Sequence, residues 1–375
     1  MNVSGLSVLA LSLIVGLLSG ARNLSAMTAV DPQKAKEQSG SKGYMFIASH
    51  DEIVARAKKE GQIRIVSGLE PRTLKGIVDS FAKKYPFIQI KRLQSQEGLD
   101  TALRFILELK AGSAAKDWDA IYLTGNYYRN YIPYLAKYDL ITMAEKGSLQ
   151  IPAQMVDPDN RNIVAAGSAL DAAAYNPELL RPGLVPKVWE DLLKPELKGK
   201  KFVMDVAPAA IFALAPAWGL EKVLDFARKI GEQKPIWARG HTRILTSIAA
   251  GEYAMHGATN YHSAMRLKQK NPANLDVALL EPVPTRLHEA QGVLGTATNP
   301  YAALLWLEHM ASADAQKHLD EVEPLKSSIY APGSYLKKAV QGKKVSVAAW
   351  KWFYQREDIE KQIASAYGFP AAEVK

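Results

Sequence analysis

The sequence contains no cysteine, and this absence excludes several ways of building and anchoring a protein. The chain can form no disulfide, can offer no thiolate ligand to a metal ion, and can carry no lipid-modified N-terminal cysteine. A chain of 375 residues, 48% of them hydrophobic, must then be stabilised by the size of its core. This length favours two domains, because single cores stop growing near about 250–300 residues.

Motifs of the common catalytic and nucleotide-binding classes are also missing. G-x-G-x-x-G, the P-loop, H-E-x-x-H and G-x-S-x-G do not occur, although each marks a frequent class of site. S-x-x-K occurs at Ser39, Ser80 and Ser334 without the companion motifs S-D-N and K-T-G. We therefore expect a protein that is not an enzyme. A secreted hydrolase or lyase is the alternative from another class.

The distribution of charge and of apolar residues bears on nucleic-acid and membrane partners. The net charge is +9, but the basic residues are spread along the chain, so we expect a solvated basic surface and no nucleic-acid partner. The apolar run Leu6–Leu18 has 13 residues, which is too short to span a bilayer comfortably. Small residues follow it and end at Ala21 and Ala26, as a signal peptidase requires.

We therefore expect residues 1–26 to be a signal peptide, cleaved after Ala21 or Ala26. The mature protein is expected to be periplasmic and monomeric, without a lipid anchor or stable membrane insertion. Residues 27–50 are polar and small and are expected to form a flexible lead-in.

A regular alternation of strands and helices follows the lead-in. "DEIVARAKKEG" predicts a helix with Asp51 as N-cap and Gly61 as its end. A second helix should start at Pro71, which suits a first helical turn. In a third helix, Leu99, Leu103, Ile106 and Leu107 recur at the spacing of an amphipathic face. The strands predicted around these helices are "QIRIVSG", "FIQIKRL" and "DWDAIYL".

This β-α-β-α-β order predicts a largely parallel sheet with helices on both faces. Such sheets bind ligands at the carboxyl ends of their strands, which indicates the loops Ser67–Arg72, Gln94–Gly98 and Thr124–Asn126. The pattern resumes with "KKFVMDV", "KPIWARG" and "EYAMHGA", and short β-rich segments around Ile163–Tyr175 could cross between two lobes. The sequence thus predicts an α/β protein with two lobes.

Seven further segments stand in a fixed order over roughly residues 51–330. They are "AKKEGQIRIVSGLEP", "FAKKYPFIQI", "LRFILELKAGSAAKDWDAI", "AAAYNPELL", "VPKVWEDLLKPELKGK", "AAGEYAMHG" and "NPYAALLWLEHMASADAQKHL". As an ordered set they resemble the periplasmic solute-binding proteins of ABC importers, in the group that contains the ferric-iron-binding proteins.

The resemblance implies a periplasmic-binding-protein-like fold, in which each lobe is a mostly parallel sheet flanked by helices and crossing strands form the hinge. The lobes would close around the solute, and the partners would be a membrane permease and its ATPase. The implied boundaries are residues 51–162 for the first part of lobe 1, 163–290 for lobe 2, 291–345 for the return to lobe 1, and 346–375 for C-terminal helices.

The iron-binding members of that group imply one possible solute. They hold Fe(III) with two adjacent tyrosines, a histidine and a glutamate, which suits a hard cation. On this chain the tyrosine pair falls on Tyr261 and His262, the histidine position offers Glu70, and the glutamate position falls near Thr124–Gly125. Iron(III) is therefore the alternative solute, with Tyr261, His262 and Glu70 as its ligands, and we expect no resident cofactor.

The residues themselves favour a small polar solute, anionic and either organic or phosphorylated. Arg239, His241 and Thr242 precede one predicted helix, and helix N-termini with a nearby arginine bind anions. Arg72 stands similarly in the first lobe, although such arginines also occur as surface caps paired with acids. Asp205 and Glu70 leave room for a zwitterion or a bound cation.

Asn260, Tyr261 and His262 are expected to form a hydrogen-bonding wall against the solute. The complete set of predicted ligand-binding residues is Ser67, Gly68, Glu70, Arg72, Thr124, Asp205, Arg239, His241, Thr242, Asn260, Tyr261 and His262.

Overall fold

The computed structural model describes residues 32–96, 98–113, 116–199, 201–322 and 326–368, and the statements below refer to these residues. The expected signal peptide lies outside them. Within these ranges, no helix combines the length and the apolar character that a membrane span requires.

The described chain alternates strands with helices throughout. The strands are β1 Gln62–Ser67, β2 Gln89–Ser95, β3 Ala120–Leu123, β4 Ile163–Tyr175, β5 Val203–Asp205, β6 Ile236–Ala238, β7 Met255–Asn260, β8 Asp276–Ala278, β9 Val283–Val293 and β10 Val345–Ala348. The helices are α1 Pro32–Ser41, α2 His50–Glu60, α3 Pro71–Lys84, α4 Leu99–Lys110, α5 Tyr128–Tyr131, α6 Leu140–Glu145, α7 Ala209–Phe212, α8 Ala215–Trp218, α9 Leu220–Glu232, α10 His241–Ala249, α11 Tyr261–Lys270, α12 Pro300–Met310, α13 Ala313–Val322, α14 Tyr335–Ala339 and α15 Lys351–Ala366. Short 3-10 helices occur at Gly125–Tyr127, Ile132–Tyr134, Ala153–Met155, Pro182–Leu184, Trp189–Leu193 and Pro195–Leu197.

Two parallel groups of strands are joined by two long antiparallel strands. The order across the sheet is β2-β1-β3-β9-β4-β7-β5-β6. β1 pairs in parallel with β2 and β3, and β5 pairs in parallel with β6 and β7. Between these groups, β9 pairs antiparallel with β3 and β4, and β4 pairs antiparallel with β7. The predicted two-lobed α/β fold with crossing strands is confirmed. One continuous strand, β4, occupies Ile163–Tyr175, where shorter crossing segments were expected.

Each parallel group has its own core. Ile65, Phe81 and Trp306 belong to a cluster formed by the first group with α2, α3 and α12. Trp189 and Phe226 belong to a second cluster, which α9 and α15 also line. After the segment that forms most of the second core, the chain therefore contributes again to the first core at α12. The expected C-terminal helices correspond to α15, which β10 precedes.

Helix boundaries follow local capping chemistry. Ser49, and not Asp51, caps α2: its side chain accepts a hydrogen bond from the backbone N–H of Glu52. Gly61 ends this helix as predicted, with φ at 65°, a conformation that glycine adopts without a Cβ clash. Pro71 is the first residue of α3, where its missing N–H is no disadvantage.

The apolar face that the leucines of α4 predict is not the buried one. Leu99, Leu103 and Leu107 are 47%, 44% and 57% exposed, whereas Ala102, Phe105, Ile106 and Leu109 are buried. Both sets repeat at helical spacing, so periodicity alone could not choose between them. The choice depends on Phe105, which belongs to the cluster that contains Val66 and Trp118.

The predicted flexible lead-in contains a helix that the sequence reasoning missed. α1 covers Pro32–Ser41, and Ser39 is buried. The Ser39 hydroxyl donates a 2.7 Å hydrogen bond to Asp139, and Met45 forms a β-bridge with Tyr138. This segment is thus attached to the first core.

Candidate functional site

On the first-lobe side of the candidate site, Glu289 of β9 lies against the end of β1. Its Oε1 accepts hydrogen bonds from the Ser67 hydroxyl at 2.8 Å and from the Gly68 backbone N–H at 3.0 Å. Gln291 donates a third bond to the same oxygen at 2.7 Å. Burial raises the pKa of Glu289, although these three donors oppose the shift. Its second oxygen, Oε2, has no hydrogen-bond partner among the described residues.

Glu289 reaches this position because β9 is irregular there. Its φ is 51°, a left-handed value that is uncommon for a residue with a side chain. His288 pairs with Gly167 on one side of it and Ala290 pairs with Ala165 on the other. A strained backbone of this kind persists when its surroundings determine it, and here the three donors to the carboxylate do so.

Gly68 is held tightly by Tyr122 and Glu289. A Cβ at this position would lie 2.6 Å from the Tyr122 ring and 2.8 Å from Glu289 Oε2. Tyr122 is the third residue of β3, and its hydroxyl is hydrogen-bonded to Thr124. The loop after β1 thus meets the strands β3 and β9 at one glycine.

We expect Gly68→Ala to disturb this part of the site. The added methyl group must displace an aromatic ring and a buried carboxylate, so urea denaturation should show a loss of about 1–3 kcal/mol in the free energy of unfolding. Solute affinity, measured by titration calorimetry, should fall as well. Gly183→Ala is the matched control, because a Cβ at Gly183 meets nothing within 4 Å. Equal effects of the two substitutions would contradict this description.

The second-lobe side is organised by a charged pair within the crossing strands. Arg286 of β9 donates to both carboxylate oxygens of Asp171 in β4, at 3.0 and 2.7 Å. It also donates to the side-chain carbonyl of Asn260 at 2.8 Å. Asp171 is opposite Asn260 in the β4–β7 ladder, so the last residue of β7 is connected to β9. Such bidentate pairs are strong and fix geometry.

Two largely buried histidines, His262 and His288, face a group of cations. His262 is in the first turn of α11, and burial together with Lys326, His288, Arg266 and Arg286 holds its pKa well below the usual range. For His288, burial, Lys326, Arg286 and Arg356 lower the pKa to about 3. The Nδ1 atom of each ring has no hydrogen-bond partner among the described residues.

Lys326 and Arg356 approach these rings from different directions. The backbone N–H of Ser168 donates to the carbonyl of Lys326 at 3.2 Å, which places Lys326 beside β4. Arg356 is on α15, and a Cβ at Gly125 would lie 3.1 Å from its Nη1. Cations from β9, α11, α15 and the segment before α14 therefore converge on one place. Two of these cations have carboxylate partners, because Arg286 pairs with Asp171 and Arg356 pairs with Glu360.

A cavity of about 170 Å³ lies at this place. Its lining residues are Tyr122, Leu123, Thr124, Gly125, Asn126, Arg286, Leu287, His288, Glu289, Ala290, Phe353 and Arg356. The loop after β3, the crossing strand β9 and the helix α15 thus share one wall. Thr124 lies in this wall and is hydrogen-bonded to both Tyr122 and Tyr131.

The structure gives the three residues expected to bind iron different neighbours. Tyr261 is 7% exposed and packs with Leu170 and Leu336 in an apolar cluster. Burial and a hydrogen bond to Tyr335 raise its pKa. Glu70 is exposed and lies 3.8 Å from Arg266 on α11, and His262 lies among the cations described above.

The remaining predicted residues divide into two groups. Asp205 and His241 come together, with 3.7 Å between Oδ2 and Nδ1. Arg72, Arg239 and Thr242 are exposed. Arg72 and Thr242 are each the second residue of a helix, α3 and α10, so they lie inside the first turn and not before it.

Sequence reasoning missed most of the residues that line the cavity, notably Tyr122, Arg286, His288, Glu289 and Arg356, together with Lys326 beside it. One signal was available in β9. In "TRLHEAQG", Arg286 and His288 alternate with apolar residues at the period of a strand. When charged residues alternate with apolar residues inside a strand, they indicate hydrogen-bonding or ionic partners on neighbouring strands.

Comparison with known proteins agrees with this architecture. Residues 124–356 match the sequence model of the bacterial extracellular solute-binding protein family. No curated protein matches the chain at a significant level.

Several solved structures share the fold. The Trichodesmium protein IdiA (FutA), in complex with iron and citrate, is 19% identical with a TM-score of 0.64, over 82% of this chain and 99% of that one. Mannheimia haemolytica ferric iron-binding protein A, in an open conformation, is 16% identical with a TM-score of 0.64, over 82% of this chain and 100% of that one. Iron-bound HitA from Pseudomonas aeruginosa is 17% identical with a TM-score of 0.60, over 80% of this chain and 99% of that one. At these identities the similarity concerns the fold.

Proposed function

The chain belongs to the family of bacterial extracellular solute-binding proteins, and we propose that it binds a small organic or phosphorylated anion in the cleft beside Arg286 and His288. It is a solute-binding protein of the ABC-importer type. We further propose that it acts in the periplasm as a monomer, after cleavage of its signal peptide, and passes the anion to the permease and ATPase of the importer. The family is one of solute-binding proteins and not of enzymes.

One observation carries the choice of an anion. Burial is the largest cause that lowers the pKa of His288, and Lys326, Arg286 and Arg356 add to it, so three cationic side chains lie near one ring. Arg286 is neutralised in part by Asp171 and Arg356 in part by Glu360, and burial raises the pKa of the Glu289 carboxyl group. An anion in the cavity would be attracted by these cations. It could also accept a hydrogen bond from a ring N–H of His262 or His288.

Closure would follow from contacts made with both lobes at once. A ligand favours the closed form only through interactions that the open form lacks. Tyr122 of the first parallel group lines the cavity and contacts Gly68, while Asn260 at the end of β7, in the second group, is hydrogen-bonded to the cavity residue Arg286 of the crossing strand β9. A solute that bridges these groups would stabilise closure.

Iron(III) is the alternative solute, because IdiA and HitA are named as iron complexes. Two features of this chain oppose it. A tyrosine binds Fe(III) as the deprotonated phenolate, whereas burial and Tyr335 raise the pKa of Tyr261. The cations around His262 would also repel a trivalent ion.

The solute is identified by purifying the secreted protein without refolding and recording its native mass, iron content and visible spectrum. We expect a protein without stoichiometric iron that carries a small organic or phosphorylated anion, visible as the difference between native and denatured masses. One iron per chain with a tyrosinate charge-transfer band would overturn the anion proposal. Turnover of the bound molecule would instead support the hydrolase or lyase alternative.

Lys326→Gln tests the electrostatic basis of the proposal. Removing one of the cations near the cavity should weaken anion binding by roughly 10-fold, which corresponds to about 1.4 kcal/mol. The loss should shrink as ionic strength rises, because salt screens the attraction. Titration calorimetry in 20 mM and 500 mM salt, where the Debye length is about 20 Å and about 4 Å, measures the loss of affinity and its dependence on salt. Lys75→Gln is the control, since Lys75 is exposed on α3 and pairs with Asp79. An unchanged affinity for Lys326→Gln would place the anion elsewhere.

A further inference from the structure

A second group of ligand-type side chains lies at the carboxyl end of the other parallel strands, and the cavity described above does not include it. Asp205 ends β5, His241 begins α10, and His256 is in β7. One ligand atom from each of the three residues lies within 4.8 Å of the other two. The two imidazole rings are nearly parallel, with 5.7 Å between centroids and 20° between planes.

His256 supplies an observation that is independent of this clustering. It is fully buried, and its Nε2 has no hydrogen-bond partner among the described residues. The backbone N–H of Ala258 lies 3.4 Å from the other ring nitrogen, Nδ1. A buried polar atom without a partner costs free energy unless a ligand or ion satisfies it. Burial and the neighbouring His241 lower the pKa of His256 to about 3, although the backbone of Val203 opposes the shift.

Asp205 and His241 are held by their surroundings as metal ligands usually are. Oδ1 of Asp205 accepts the backbone N–H of Ala207 at 2.8 Å, and Oδ2 accepts that of Gly240 at 3.3 Å. Nδ1 of His241 lies 3.3 Å from the Thr259 hydroxyl and 3.7 Å from Asp205 Oδ2. Hydrogen bonds of this kind orient ligands before a metal ion binds.

We propose that Asp205, His241 and His256 form a binding site for one divalent transition-metal ion of the Zn²⁺ class. Two imidazoles and one carboxylate suit Zn²⁺, which accepts nitrogen and oxygen donors at about 2.0–2.2 Å in a tetrahedral arrangement. Three protein ligands leave a fourth position open, and the part-exposed His241 is the ligand nearest to solvent. The Oδ2 of Asp205 and the Nδ1 of His241 are 3.7 Å apart, which is near the separation of about 3.3 Å that two donors have on one tetrahedral zinc ion.

The charges around the group permit a divalent cation. Burial lowers the pKa of His241, Asp205 and more weakly Asp171 oppose this shift, and Arg286 adds to it. Asp171 and Arg286 form a pair, so they largely offset each other at this distance. Asp205 then remains as the net negative charge beside two neutral rings. Trivalent iron would prefer a set richer in oxygen donors.

The test uses the full mature chain, stripped with a chelator and titrated with zinc chloride in a calorimeter without any added anion. We expect one Zn²⁺ per chain. Asp205→Asn and His241→Ala should each weaken zinc binding by about 100-fold. Loss of a partner that only supports a ligand costs up to about 100-fold in metal affinity, and loss of a ligand itself should cost at least as much. His50→Gln is the control, because it removes a histidine that lies on α2 next to Glu308. This substitution should leave zinc binding unchanged.

Cobalt(II) provides a second readout, because tetrahedral Co²⁺ absorbs in the visible range. Its band should appear in the wild-type protein and vanish in His241→Ala. The role of the buried residue is tested by His256→Gln, and if that variant fails to fold, the other two variants decide. Zinc affinity that is the same in wild type, Asp205→Asn and His241→Ala would overturn the proposal, as would the absence of binding. Neither result depends on which anion the cleft holds.

Discussion

Arg286→Met is expected to lower the free energy of unfolding by about 3–5 kcal/mol, because it leaves the Asp171 carboxylate buried without its partner. Asp171 is 1% exposed and the Arg286 side chain 14% exposed, so water replaces little of the lost interaction. The substitution also removes the donor to Asn260 and one of the cations beside the cavity. Anion binding should therefore be abolished together with the stability. Urea denaturation and titration calorimetry measure the two losses.

A double variant separates these two effects. Asp171→Leu with Arg286→Met replaces a buried ion pair by apolar side chains, a change that is often neutral for stability. We expect the double variant to regain most of the free energy of unfolding and still to bind no anion. Recovery of binding along with stability would show that Arg286 acts only through the fold.

Another buried pair provides the matched control. Arg64 of β1 binds Asp119 with Nη2–Oδ1 at 2.8 Å, and the carboxylate is fully buried. Arg64→Met should thus be destabilising to a similar degree. The pair lies away from the residues that line the cavity, so the folded fraction of this variant should bind the anion normally.

The parts of the fold that the sequence predicts are those formed by local patterns. The run from β1 to β3 could be recognised because each helix has its own capping or proline signal, such as Pro71, Gly61 or Pro86. The crossing strand β4 could be recognised because it is a long segment of small and apolar residues. The sequence indicated short β-rich segments around Ile163–Tyr175, and the structure has one continuous strand there.

The strand β9 could not be recognised in the same way. Arg286 and Glu289 are tolerated inside it because Asp171 and Ser67 satisfy them across the sheet. These partners are 115 and 222 residues away in the chain, and a local window contains neither of them. For the same reason the choice between the two faces of α4 depended on Phe105 and its contacts with distant strands.

The candidate site shows the same division. The rule that ligands bind at the carboxyl ends of parallel strands led to Ser67, Gly68 and Thr124, which all contact cavity residues in the structure. It did not lead to Arg356, whose helix α15 packs onto the site from the far end of the chain. The rule locates loops, but which side chains point inward is decided by the other elements that surround the loops.

Acidification is expected to destabilise the protein well before its carboxylates titrate. The pKa of His288 is lowered to about 3, chiefly by burial and by Lys326, and that of His309 to about 4, chiefly by burial and by Lys84. In the unfolded chain both rings have a pKa near ~6.5. Between these values the unfolded state binds protons that the folded state does not, so the free energy of unfolding rises with pH. This stability is fully present above pH ~6.5 and is lost progressively as pH falls toward about 4.

Each of these histidines should remove roughly 1 kcal/mol between pH 6 and pH 5. Urea denaturation at a series of pH values measures the sum over all the buried histidines, including His256 and His262, whose pKa values burial also lowers. His309→Gln isolates one contribution, because a glutamine can keep a hydrogen bond to Ser80, whose hydroxyl lies 2.8 Å from His309 Nε2. This variant should show a pH dependence that is weaker by about 1 kcal/mol over the same interval. His50→Gln, which removes a half-buried histidine, is the control for the loss of any imidazole. If His309→Gln kept the full pH dependence, the buried histidines would not be the groups that destabilise the protein in mild acid.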